Sequence, residues 1–264
     1  MRVPAGNSPT PGSSPSTVEE VIARLRVLAS ASHTDGVSAF AGLYLAVTEG
    51  VRSGLARATF ANPAFLTRLD TAFAGLFFDA LDSYTRAPQA APRAWAPLFE
   101  QRSRRTIAPL QFALAGMNAH INRDLPVAVV STCVEFGIEV RSDGPEHADF
   151  EAVNALLAQT ELRIKNRFLT GWVRVVDRLI HPFGRLDDVI AMWNIEQARG
   201  AAWANAETLW ALRGSPDLSS QFFLTLDRTV GLASRGLLVP TQTRAQGFAR
   251  QLFPSLSPIV DVPG

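Results

Sequence analysis

An all-α single domain of seven to nine helices is the fold the sequence predicts, and three observations predict it. Apolar residues recur at three-four spacing from residue 17 to about residue 236. No period-two alternation recurs, and no segment of about 20–50 residues repeats itself. Helices packed around one core account for all three.

Each element follows from its own punctuation. The first seventeen residues, MRVPAGNSPTPGSSPST, are rich in proline, serine and glycine without an apolar run, so residues 1–16 read as a disordered leader. Thr17 to Glu20 is a capping-box pattern, followed by Val18, Ile22, Leu25 and Leu28 at helical spacing. Val37, Phe40, Tyr44, Val47, Val51 and Leu55 mark a second helix. Asn62-Pro63, a cap followed by a proline tolerated in the first turn, opens a third through Leu66, Leu69, Phe73, Phe77 and Leu81. After a proline-bearing loop over 86–93, Trp95, Leu98 and Phe99 start a short helix.

A longer helix is expected from about Thr106 to Asp124, with a kink or break at Asp124-Leu125 because Pro126 cannot donate to Asn122. Val127 to Val134 is β-branched enough for a strand, but its helical surroundings favour helix. Asp149 is read as the cap of a helix carrying Val153, Leu157, Phe168 and Trp172, and Asp187 as the cap of another that ends at Gly214. A last helix runs from about Asp217 to Gly236, a left-handed cap. The helical domain thus spans 17–240, and 241–264 reads as an irregular tail with one short helix around Ala245 to Leu252.

Composition narrows the function classes. At 264 residues the chain buries enough surface to need no staple. Its single cysteine, Cys133, excludes an intramolecular disulfide and a Cys-ligated zinc site, and its apolar surroundings make it a buried, inert thiol. A net charge of +1 gives no field to attract nucleic acid or an anionic membrane. Basic residues are 24 arginines and one lysine, Lys165, so the cluster Arg102, Arg104 and Arg105 reads as a solvated face and only weakly as a phosphate site. With neither a secretory apolar segment nor a run of ~18 apolar residues, the expectation is a soluble, cytoplasmic protein, with homo-oligomers open.

One stretch departs from what a core helix needs: GMNAHINRDLP, Gly116 to Pro126. At about 100° per residue, Ile107, Leu110, Leu114, Met117, Ile121 and Leu125 share a face, and His120 and Asp124 lie side by side at its edge. Gly116, one turn before His120, lets another group approach the backbone. The His120–Asp124 pair supports three readings. Asp124 orients His120 as a general acid or base; both bind a divalent metal; or both form a structural pair that pins the kink at Pro126. The metal reading is short of ligands, because His33, His147 and His181 lie on other segments and Asp79, Asp82 and Glu49 are simpler as solvated residues. Trp95 and Trp193 are candidates to line an apolar pocket. No phosphate loop, nucleophile elbow or dinucleotide fingerprint is present.

The same run resembles the signature of a bacterial family of unknown function, common in actinobacteria, with a glycine, a polar cluster and an HxxxD pair before proline. Tyr44 with Thr48, Asp70 with Phe73, Trp95, Asp149-Phe150 with Val153-Asn154, and Arg199 with Trp203 match its other landmarks, over residues 35 to 215 or so. The resemblance implies a shared fold and a site around His120, and no substrate. It adds Asn118, Asn122, Arg123 and Asp149 as candidate site residues, with Tyr44 beside them as a ligand contact. Asp187-Asp188 resembles the metal-binding motif of class I terpene synthases, without its third acidic residue.

The expectation is therefore an enzyme of small-molecule metabolism in which His120 and Asp124 perform cofactor-independent acid/base chemistry on an apolar substrate: cyclisation, isomerisation or hydration. The alternatives are a divalent-metal-dependent hydrolase and a helical binding protein with a structural pair.

Overall fold

The computed structural model describes residues 15–32, 34–55, 60–157 and 195–240. The protein is all-α, and among the described residues no strand occurs. The helices are α1 (Val18–Ser30), α2 (Gly36–Leu55), α3 (Pro63–Arg86), α4 (Ala96–Gln101), α5 (Pro109–Ala119), α6 (Leu125–Phe136), α7 (145–157), α8 (Ile195–Ala211) and α9 (Pro216–Leu237). None of these is long and apolar enough to cross a membrane.

A π-helical turn, His120–Asp124, joins α5 and α6 into one rod through the middle of the bundle. The α5 half packs on α2 and α9, the α6 half on α3 and α8, and the π turn between them touches α3, α8 and α9. One hydrophobic core contains residues from every helix. The polar segment singled out by sequence thus occupies the centre of the fold.

The kink or break expected at Asp124-Leu125 takes the form of the π turn that ends at Asp124, after which the α-helix resumes with Leu125 and Pro126. Pro126 sits in the first turn of α6, where no intrahelical donor is missed, and the wide turn before it bonds Leu125 N–H to the His120 carbonyl. Val127 to Val134 is helical, as the surrounding pattern favoured.

Several caps differ from the sequence expectation, and for Asp149 the reason is a distant backbone that competes for the side chain. Thr17 does accept from Glu20 N–H, at 3.2 Å, but Glu20 reaches back to Ser16 N–H at 2.7 Å instead of to Thr17. Asn62 caps α3 as expected, accepting from Phe65 N–H at 3.1 Å. Asp149 does not cap its own helix, which begins at residue 145. Its carboxylate accepts from Ala61 and Asn62 N–H at 2.9 and 2.6 Å and so anchors the start of α3. Gly236 lies within α9, and among the described residues the left-handed glycine is Gly137, at φ 66°, which ends α6. α5 starts at Pro109, three residues later than expected, with Gln111 reaching back to Ala108 N–H at 3.0 Å.

The leader up to residue 14, His33, the span 158–194 with Trp193, His181, Asp187 and Asp188, and the tail from 241 lie outside the described residues.

Candidate functional site

His120 and Asp124 are both wholly buried, and their side chains meet across the π turn, His120 Nδ1 to Asp124 Oδ2 at 3.3 Å. The same Oδ2 accepts from Trp95 Nε1 at 2.9 Å, and Oδ1 accepts from Arg123 Nη1 at 2.6 Å. Three donors from two segments therefore fix one carboxylate, and Arg123 balances its charge without leaving the helix. Arg123 in turn reaches Asp227 of α9, Nε to Oδ1 at 3.4 Å, with its guanidinium over the Phe223 ring at 4.9 Å. Asp227 accepts from Arg93 and Ala94 N–H at 2.9 and 3.1 Å, next to Trp95. The chain of contacts Trp95–Asp124–Arg123–Asp227 closes back on the segment it started from.

The imidazole of His120 is enclosed by aromatic rings. Phe73 lies flat against it, 3.5 Å between centroids and 6° from parallel. Tyr44 meets it edge-on at 4.6 Å, with Phe40 at 5.8 Å and Trp95 at 6.0 Å. Phe40 is also the group that Gly116 admits: a methyl at that glycine would overlap the Phe40 ring. Burial pushes the His120 pKa below its ordinary value, against the opposing pull of Asp124. A neutral imidazole with its proton on Nδ1, facing Asp124, satisfies that geometry. Nε2 is then a lone-pair acceptor, and it has no hydrogen-bond partner.

Three further atoms in this neighbourhood are enclosed without hydrogen-bond partners: Tyr44 Oη, Asp70 Oδ2, and Arg123 Nε, which stands only within ion-pair range of Asp227. Desolvation raises the Tyr44 pKa well above its usual range, and the nearby Asp70 and Asp124 carboxylates add to the rise. Burial lifts Asp70 to about 6, opposed by Arg199 of α8. Arg199 is itself buried, its Nε donating to Asn154 Oδ1 at 2.6 Å and its Nη2 to the Phe150 carbonyl at 2.8 Å, and burial lowers its pKa to about 10. Asp70 precedes Phe73 by one turn of α3, so helical spacing puts both on one face.

Of the residues predicted from sequence, the structure gathers His120, Asp124, Arg123, Trp95 and Tyr44 at one place. Asn118 turns to α9 instead: its Nδ2 donates to the Val230 carbonyl and to Ser234 Oγ at 3.1 and 3.0 Å, while its Oδ1 accepts from Asn122 Nδ2 at 3.0 Å. Asp149 is committed to the backbone before α3, and Trp193 is outside the described residues. Sequence reasoning named Asp70 only as a landmark of the resemblance. An acidic residue one turn from Phe73 on a core-facing stripe was the signal available. Arg102, from the basic cluster, pairs with Asp35 at 2.6 Å at the start of α2, and Asp82 pairs with Arg24 of α1 at 2.8 Å. Cys133 is buried, and its thiol is pushed up to about 12, chiefly by burial. Among the described residues no group of three His, Cys, Asp or Glu side chains is placed to hold a metal ion.

No curated protein and no solved structure matches the chain. A family of unknown function, DUF5995, matches residues 18–240, which takes in every described helix and the whole constellation around His120. The chain belongs to this family.

Proposed function

We propose that the protein is an acid–base enzyme acting on an apolar small molecule, with His120 Nε2 as the proton acceptor. The observation that carries this reading is the asymmetry of the imidazole: Nδ1 is held by a fully bonded carboxylate, while Nε2, equally buried, has no partner. A structural histidine satisfies both nitrogens, because a buried unmade hydrogen bond costs about 1–3 kcal/mol. Asp124 fixes the tautomer and stabilises the imidazolium that forms after proton transfer. The surrounding Phe73, Tyr44, Phe40 and Trp95 favour an apolar body beside the reacting group. Isomerisation, hydration and cyclisation can each proceed through such a base without a cofactor.

Two measurements test it. Nitrogen-15 NMR at neutral pH is expected to find His120 protonated on Nδ1 alone, and an imidazolium protonated on both nitrogens would leave no lone pair for the reaction. Incubation in heavy water with a set of apolar ketones and unsaturated alcohols is expected to exchange carbon-bound hydrogen for deuterium. His120→Gln, which keeps a donor to Asp124, is expected to abolish the exchange.

A further inference from the structure

Three enclosed polar atoms without partners come from three different elements: Tyr44 Oη on α2, Asp70 Oδ2 on α3 and His120 Nε2 on the π turn. Their chemistries are complementary. The imidazole nitrogen is an acceptor, a phenol is an O–H donor, and the Asp70 carboxyl, lifted to about 6 by burial, is an O–H donor whenever it holds its proton. Tyr44 touches the His120 ring at 4.6 Å, and Asp70 stands one turn before the Phe73 that stacks on it. One base beside two weakly acidic donors, walled by aromatic rings, is what removal of a proton next to a carbonyl group requires.

We propose that Tyr44 and Asp70 are the two donors to the oxygen of an enolisable carbonyl substrate, opposite the base His120. The inference rests on the reading of His120 given above. The α C–H bond of the substrate breaks and its proton passes to His120 Nε2. The released electron pair forms the C=C bond, and the carbonyl π pair moves onto oxygen, where the Tyr44 and Asp70 O–H groups bond it. In a β,γ-unsaturated carbonyl the intermediate is a dienolate; return of the proton from His120 to its γ carbon restores the C=O bond and shifts the C=C bond, so the isomerisation needs neither oxidant nor reductant.

The electrostatics agree with this division of labour. Tyr44 remains a donor across the physiological range, because burial above all, and the Asp124 charge beside it, oppose its ionisation, with Asp70 adding to this once it is ionised. Asp70 gains its proton at about pH 6, where burial outweighs Arg199. Among the described residues, Arg199 on α8 and Tyr44 on α2 interact with Asp70, with Asp124 of the π turn also bearing on Tyr44. A substrate oxygen that gathers negative charge raises the Asp70 pKa further and holds the proton in place.

The test uses 4-nitrophenol with the full chain, since its phenolate is planar, apolar and negative at one oxygen, and its absorbance reports ionisation. Wild type is expected to bind the phenolate at about pH 6.5 and to lose about tenfold or more in affinity by about pH 9, where Asp70 is ionised and repels it. Tyr44→Phe and Asp70→Leu are each expected to weaken binding at the lower pH by about tenfold. Asp70→Asn keeps an N–H donor that cannot ionise, so its affinity should not fall at the higher pH. Absence of phenolate binding by wild type overturns the inference. So does an Asp70→Asn profile that falls like that of wild type, and this second criterion holds even where Asp70→Leu fails to fold. The exchange assay with His120→Gln reads the base alone. Phenolate affinity indifferent to Tyr44 and Asp70 therefore overturns the donor pair even where exchange persists.

Discussion

Asp124 and Tyr44 contact the same imidazole, and the fold treats them in opposite ways. Both oxygens of Asp124 are bonded, to Trp95, His120 and Arg123, whereas the Tyr44 hydroxyl, equally enclosed, is bonded to nothing. The Asp124 side stabilises: it fixes the π turn, ties it to α9 through Arg123 and Asp227, and braces the segment before α4. The Tyr44 side, with Asp70 and His120 Nε2, leaves polar atoms unmade in the interior at a cost in stability. Natural proteins retain such local deficits where function needs them. A single aromatic-lined ring thus separates a carboxylate with every oxygen bonded from a hydroxyl with none, the side on which we propose that the chemistry occurs.

The largest expected effect lies on the stabilising side. Asp124→Ala removes the acceptor of three buried donors and leaves Arg123 with only its longer contact to Asp227. Urea denaturation is expected to show a loss of about 3–5 kcal/mol. A loss below about 1 kcal/mol would mean that the network is decorative and the comparison misplaced.

The next effect belongs to the other side and appears as a dependence on pH. The folded-state pKa of Asp70 is raised from 3.8 to about 6, so between those values the native state binds more protons than the unfolded one. Stability from this group is therefore greatest below about pH 4 and is lost as pH rises to about 6, by roughly 3 kcal/mol in all. His120 acts with the opposite sign, since its lowered pKa makes stability fall as pH drops below its ordinary value. Thermal midpoints of wild type and Asp70→Asn across about pH 4–7 separate the two contributions. The variant is expected to lose the part that declines with rising pH, and parallel profiles would contradict a raised Asp70.

Most of the fold was legible in the sequence, because helix starts and apolar stripes are local signals. Asn62-Pro63 predicted the start of α3, and the stripe Val37–Phe40–Tyr44 predicted the buried face of α2. What the sequence obscured depends on distant partners. Pro126 signals a break locally, yet a π turn packed on three other helices carries the rod past it. Asp149 looks like a cap for the residues that follow it, but the free N–H groups it meets lie before α3. Asn118, near His120 in sequence, faces α9 because the polar atoms there can use it, and Asn122 bonds Asn118. The His120–Asp124 pair was readable from its i,i+4 spacing. Asp70 was not, since its importance lies in having no partner, a property only the folded chain possesses.

A smaller effect probes how tightly the stabilising side is assembled. A methyl group at Gly231 of α9 would overlap the backbone carbonyl of Arg93, beside the amides that Asp227 holds. Backbone cannot yield as a side chain does, so Gly231→Ala is expected to lower stability by about 1–3 kcal/mol in denaturant melts. An unchanged midpoint would show that α9 is free to shift.

The most direct test of the central claim compares two conservative removals on either side of His120. Trp95→Phe deletes a donor that Asp124 uses, and Tyr44→Phe deletes a hydroxyl that nothing uses. Thermal melts of the two variants beside wild type are expected to show Trp95→Phe destabilised by at least about 1 kcal/mol, and Tyr44→Phe unchanged or more stable, since an unbonded buried hydroxyl is a liability. Equal destabilisation of both would show that the Tyr44 hydroxyl is satisfied in the folded protein, and that result would contradict the division between a stabilising and a chemical side.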